Sequence, residues 1–470
     1  MIAKIITNKV WPNQINFLMN TKEGKVKKTM LRSLIAGAVI AGLVGCSTQQ
    51  STVNYDNSTA LSTYASIASA NYADALKDAK TLQAAIDAFS NKPTKATLQA
   101  AKAAWLVSRE SYGTTEIFRL SNGPIDAEEG WVAETYGAVE GELNSWPLDE
   151  NMIDYTTDAN SKRTSGNIID TKGLFTPGGE DVTAVDVSEI TPDAISALNT
   201  NGGDANVAAG YHAIEFMLWG QDQDYNNMIE DSVTNGAMTA GQRPLTDFTT
   251  DKLAKRRLDY LNAVAVKLVD DLSLVSSAWA DDVDGDKGLY RAALLDQLTG
   301  AQASKNIDEA TSLKQIFAGV GVFSKSELAN ERIAVAVLTP SEEDEHSCFS
   351  DNTHRDIALN YQGIKNVLLG EYKGEKVGPA FIDKLSSEEQ AVITNLMADI
   401  EMRIAKINTL ATTTMHFDYQ IRPENEASVQ NIVTLKNQLR RLGDQMVTVS
   451  GAYGISLTTS DVTDAEETQL

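Results

Sequence analysis

Two groupings around the four histidines of this 470-residue chain have the residue types and spacing for metal chemistry. His212 and Glu215 stand three apart in Gly210-Tyr-His-Ala-Ile-Glu-Phe-Met-Leu-Trp-Gly220, so on a helix both side chains share one face. An imidazole and a carboxylate so placed can hold one cation together. The surrounding segment is strongly apolar, where an unpaired carboxylate is costly. The same pair is equally suited to satisfying itself as a buried hydrogen bond. The second grouping is Glu345-His346-Ser347-Cys348 with His354, which puts two of the four histidines and the only thiol besides Cys46 within nine residues. Imidazole and carboxylate suit iron or zinc, whereas thiolate favours softer ions. No Cys-x-x-Cys accompanies them, so a closed structural zinc site is not expected. The acidic run 342–345 by itself reads as solvent-facing charge, and His354 could equally cap or pack. Chain position does not show whether this group meets His212.

Other candidates are weaker. Asp281-Asp-Val-Asp-Gly-Asp286 has its glycine misplaced for a calcium loop and reads as a polar turn. His416 and Asp418 have no second recognisable ligand. Trp105, Trp131, Trp146 and Trp219 suit packing. Arg109, Arg119 and Arg332 could bind an anion such as an iron chelate, or serve only as internal ion-pair partners. Phosphate-loop and dinucleotide fingerprints are absent from the sequence.

Several segments together resemble the imelysin-like family, also called peptidase family M75. The 210–220 segment resembles its G-x-H-x-x-E motif. Glu116-Ile-Phe-Arg-Leu-Ser-Asn-Gly-Pro-Ile-Asp126 resembles its early glutamate and G-P-I-D segment, and Asn144-Ser-Trp-Pro-Leu-Asp-Glu150 its tryptophan-proline turn. Glu331-Arg332 and the stretch from Glu342 to Asp356 resemble the iron-regulated protein A branch. These segments span about 61–452. The resemblance implies two helical-bundle halves with the shared polar residues gathered near their junction, and a link to iron supply. It places Glu116, Arg119, Asp126, Trp146, Arg332 and Cys348 beside the metal candidates His212, Glu215, Glu345, His346 and His354. The family's peptidase name implies a metallopeptidase as an alternative, but the chain has no H-E-x-x-H or its reverse, so a third ligand and a general base would have to come from distant positions. A helical module that docks to a receptor or holds a small ligand needs no metal at all.

The elements that must position these residues read as all-α. Ala-rich runs at 61–89 and 95–120 are separated by Asn91-Lys-Pro-Thr94, a two-helix signature. Residues 155–206 are rich in Thr, Asp, Gly and Ser and read as loop, with a short helix after Thr191-Pro192. Helical sequence returns at 206–219, at 252–280, in shorter pieces after 288, and in long runs at 388–410 and 428–449. Arg332 to Leu338 is a brief apolar run, but no alternating pattern is long enough for a sheet. Packed helical bundles follow, with an N-terminal half 61–245, a C-terminal half 246–452 and a polar tail 453–470.

Ahead of this body, basic residues from Lys22 to Arg32 precede the apolar run 34–44, too short to span a bilayer. The run ends in Leu43-Val44-Gly45-Cys46, which resembles a bacterial lipobox. Residues 1–45 are expected to be a lipoprotein signal peptide, with the true start at Met19 or Met30. Cys46 would carry lipid and 46–60 form a polar tether. Ser47 after the cysteine favours the outer membrane, by resemblance to lipoproteins of double-membraned bacteria. Loss of the leader takes the formal charge from -24 to -30, which argues against nucleic acid as a partner. The expected protein is a lipid-anchored, metal-binding component of iron acquisition, with iron or zinc as its ion and an outer-membrane iron-uptake partner.

Overall fold

Short polar breaks between long apolar-striped runs set the architecture. The computed structural model describes residues 56–157, 162–222, 238–338 and 344–465. The leader, Cys46 and most of the tether lie outside them. Asp56 accepts the Ser58 amide hydrogen and so caps helix α1 (Asn57–Asn91). The helix buries Leu61, Tyr64, Ala68, Tyr72, Ala75, Ala79, Leu82, Ile86 and Phe89, at the three-and-four spacing of one helical face. After the Lys92-Pro93 break, Thr94 and Thr97 exchange hydrogen bonds at the start of α2 (Lys95–Tyr112), a capping box. α2 packs back along α1.

The next element is buried on every side. All ten residues of α3 (Gly210–Trp219) are buried, as expected for a helix apolar all round. Gly210 has φ +83°, and a Cβ there would stand 2.4 Å from the Leu143 carbonyl oxygen, so only glycine fits. α4 (Ala254–Ala278) packs on α1 and α3 and closes a first bundle. Two of its buried polar heads are paired with backbone: Trp105 Nε1 donates to the Tyr211 carbonyl at 2.9 Å and the Tyr260 hydroxyl to that of Ala208 at 2.5 Å.

A second bundle follows. Helix α5 starts as Glu309–Val322, widens into π-helical turns over Phe323–Ala334 and ends as Val335–Leu338. It packs with α6 (Thr353–Leu369) and α9 (Glu426–Ala452), α7 (Ser387–Ala411) packs on both of these, and the single turn α8 (Phe417–Gln420) links α7 to α9. Two antiparallel pairs, Leu174–Phe175 with Val185–Asp186 and Glu371–Tyr372 with Glu375–Lys376, are the only paired strands among the described residues. The fold is all-α, as the sequence indicates. No described helix is long and apolar enough to cross a membrane.

One apolar core runs from Ala60 to Val462 through both bundles. α4 begins after residue 245, yet packs on helices that precede it, so the first bundle reaches Ala278 and the second opens at Glu309. Beyond Ala452 the chain returns to α5, with Val462 buried against Gly321 and the Asp464 amide donating to Ser326 Oγ at 2.9 Å.

Candidate functional site

The polar residues of α3 meet those of the 344–356 segment beneath a cavity of about 350 Å³, lined from the first bundle by Arg119, Glu140, Asn144, Trp146 and Pro147 and from the second by Glu327, Glu331, Arg332, Asp344 and His346. His212 and Glu215 are wholly buried, and His212 Nδ1 lies 2.9 Å from Glu215 Oε2. Glu215 Oε1 accepts from the Ser350 amide at 2.9 Å and the Ser350 hydroxyl at 2.7 Å. Both carboxylate oxygens are therefore engaged, and Glu215 orients the imidazole instead of sharing a cation with it. Among the described residues, His212 Nε2 has no hydrogen-bond partner.

His346 repeats the arrangement. Its Nδ1 stands 2.9 Å from Asp356 Oδ2, and its ring meets that of His212 edge-on with centroids 4.7 Å apart. Trp146 packs edge-on against His212 at 5.0 Å and against Phe349 at 5.7 Å. Two imidazoles, each held through Nδ1 by a carboxylate, thus lie side by side with their Nε2 edges left for other work. Carboxylate-held histidine is the usual outer support of a metal ligand. His346 Nε2 makes a long contact, 3.4 Å, with Asn144 Nδ2.

Burial sets the charge of this centre. It drives His212 well below the ordinary histidine range and pushes Glu215 up to about 8, a rise that Ser350 opposes. At neutral pH His212 is neutral and Glu215 largely holds its proton. A cation at Nε2 would need the imidazole proton on Nδ1 and the carboxylate ionised, so binding would expel a proton. Burial also opposes the ionisation of Asp356, but Arg109, His346 and Ser347 hold that carboxyl far below its usual range.

The arginines are committed to internal partners. Arg109, fully buried, donates to Asp356 Oδ1 at 2.8 Å and to Asn144 Oδ1. Arg332 bonds Glu116, Asn360 at 2.6 Å and Glu327 at 2.8 Å, and Arg119 bonds Glu327 at 2.9 Å and approaches Glu140 at 3.4 Å. Of the two roles the sequence left open for them, ion pairing is the one the contacts display. The π turns explain one of these pairs: Glu327 and Arg332 are five apart, which in an α-helix would turn them about 140° from each other, but a π turn stacks i on i+5.

The remaining candidates separate. Asp126 accepts the Leu120 amide hydrogen at 2.5 Å within a tight turn, Glu345 is buried, and Cys348 is buried in the apolar core. His354 does not belong to the His212 pair; its Nδ1 faces the Asp351 carbonyl oxygen at 3.0 Å, and burial lowers its pKa to about 4. Asn144, Asp356, Glu327 and Ser350 are participants that residue-by-residue reading did not single out. Asn144, Ser350 and Asp356 lie inside quoted motif segments. Glu327 carries no signal except its place one π turn before Arg332.

A model of the imelysin family, described as Peptidase M75, matches residues 68–446, so the chain belongs to that family. More particularly, it is similar to the iron-regulated protein A of Synechococcus elongatus, with 23% identity over 323 residues, 69% of this chain and 67% of that protein. Its fold is similar to a crystal structure from Parabacteroides distasonis named as an iron-regulated protein A precursor, at a TM-score of 0.55 and 17% identity, covering 84% of this chain and 95% of that one.

Proposed function

We propose that this protein binds a metal ion at the junction of its bundles as a non-enzymatic component of iron acquisition, anchored to the outer membrane by lipid on Cys46. The observation that carries the reading is the buried, unpartnered Nε2 of His212 beside His346, each ring fixed by a carboxylate. A buried polar atom without a partner is costly and calls for a ligand. Two imidazoles suit iron or zinc, and further donors would come from the cavity side, where Glu331 and Asp344 stand. The relatives named iron-regulated protein A support iron as the cargo.

The peptidase alternative is disfavoured by Glu215. Hydrolysis at a metal needs a base to activate water, and both oxygens of this carboxylate are occupied in orienting His212. A receptor-docking role is compatible with the metal reading, as the tether would bring the body to an outer-membrane uptake partner. Calorimetric titration of the soluble body with ferrous, ferric, zinc and copper ions tests the proposal. Binding no tighter than to a His212→Ala, Glu215→Ala variant would remove it. Chelator-sensitive cleavage of unfolded protein substrates, lost in Glu215→Ala, would put the peptidase reading first.

A further inference from the structure

The tight turn that supplies Ser350 to Glu215 supplies the very next residue to another cluster. Asp351 sits in this turn with φ +57°, its amide bonded to the Cys348 carbonyl at 3.2 Å. Its carboxylate contacts His416 Nδ1. His416 and Asp418 come from the start of α8, whose position is fixed by Gln420 donating to the Ile407 and Met415 carbonyls at 3.1 and 3.2 Å. One ligand atom from each of Asp351, His416 and Asp418 lies within 4.8 Å of the others.

We propose that Asp351, His416 and Asp418 form a second cation site, separate from the His212 cavity, that takes a divalent first-row transition ion such as Fe²⁺, Mn²⁺ or Zn²⁺. The independent sign of a missing ligand is Asp418. It is 4% exposed, and among the described residues its Oδ1 has no hydrogen-bond partner. Asp351 is also buried, and its carboxylate lies in the same cluster as that of Asp418. Carboxylates crowded out of water need a proton or a cation. One imidazole with two carboxylates is a donor set for iron, manganese or zinc more than for calcium or magnesium, which favour oxygen alone. Ser350 and Asp351 are neighbours pointing to different centres, so the two sites share a turn and no ligand.

Calorimetry on the metal-free full chain in detergent, with Zn²⁺ and with Fe²⁺ under anoxic conditions, tests this. The wild type should bind two equivalents, His212→Ala one, Asp418→Asn one, and the double variant none. His416→Gln should likewise lose one equivalent, or weaken it at least tenfold, and it decides the matter if Asp418→Asn fails to fold. The inference is overturned if His416→Gln and a folded Asp418→Asn keep wild-type stoichiometry with affinity unchanged within twofold. A single wild-type equivalent abolished by His212→Ala would also overturn it and leave the junction site standing. A single equivalent abolished only by Asp418→Asn would do the reverse.

Discussion

Replacing Asp356 by asparagine removes one charge from a pair that has no water to fall back on. The Arg109 side chain is wholly inaccessible and that of Asp356 is 1% exposed, with 2.8 Å between them. In Asp356→Asn the guanidinium keeps only neutral acceptors, the Asn144 carbonyl and the new side-chain amide oxygen, besides the faces of Tyr211, Tyr112 and Trp105, whose centroids lie 5.2, 5.6 and 5.7 Å away. Breaking a buried pair from one side costs about 3–5 kcal/mol, and aromatic faces return roughly 0.5–2 of that. A net loss of about 2–4 kcal/mol is expected, a large share of the roughly 5–15 kcal/mol by which domains are stable. Urea denaturation should show a lower midpoint at unchanged slope. Arg109→Met combined with Asp356→Asn should recover at least half the loss, because no guanidinium is then left buried without its counter-charge and the amide oxygen still accepts from Ser347. A single-variant cost below about 1 kcal/mol would refute the reasoning, since Arg109 would have to be hydrated or compensated in a way these contacts do not provide.

Glu327 gives the pH dependence. Burial raises its pKa, but Arg119 and Arg332 outweigh that and hold it at about 2 against an ordinary 4.5. A depressed carboxyl stabilises the fold fully above its unfolded pKa and loses that contribution as pH falls through the folded one. The shift is worth about 3 kcal/mol at face value, and about 2 after allowing for a side chain one-fifth exposed. Stability should therefore fall between pH 4.5 and 2, and Glu327→Gln should flatten that fall; an unchanged acid limb would count against the pairing. Glu215→Gln should weaken metal binding at the junction roughly 10–100-fold through loss of imidazole orientation, read by calorimetry against a fold checked by circular dichroism; unchanged affinity would show that orientation is irrelevant there. Gly210→Ala should cost about 2–5 kcal/mol from strained φ and the clash with Leu143, and wild-type stability in urea would contradict the assigned geometry of the α3 start.

Helices, their breaks and the absence of long strands were legible because they are local. The runs at 388–410 and 428–449 correspond to α7 and α9 within two or three residues. The His212–Glu215 spacing also located a real contact, but not its purpose. What Glu215 does depends on Ser350, 135 residues later. His416 and Asp418 looked isolated for the same reason: their companion Asp351 lies 65 residues earlier, and only tertiary packing joins them. The π turns were illegible because no residue type marks them, although they decide which α5 side chains reach the cavity. The extent of the first bundle escaped division by composition because α4, which begins after residue 245, packs on α1 and α3.

The Arg109–Asp356 pair spans 247 residues, and Arg332 reaches Glu116 across 216. If the second bundle opened alone, it would strand Arg109 inside the first without its carboxylate and leave Glu116 with only the longer Arg119 contact at 3.7 Å and the Asn144 amide. Partial opening is thereby penalised, and the body should behave as one cooperative unfolding unit despite its two-bundle layout. A chain stopped before Asp356 could form α1 to α4 but would hold Arg109 without its ion-pair partner, so the N-terminal half is not an independent module that can be shortened to. The junction ties completion of the fold to completion of the site.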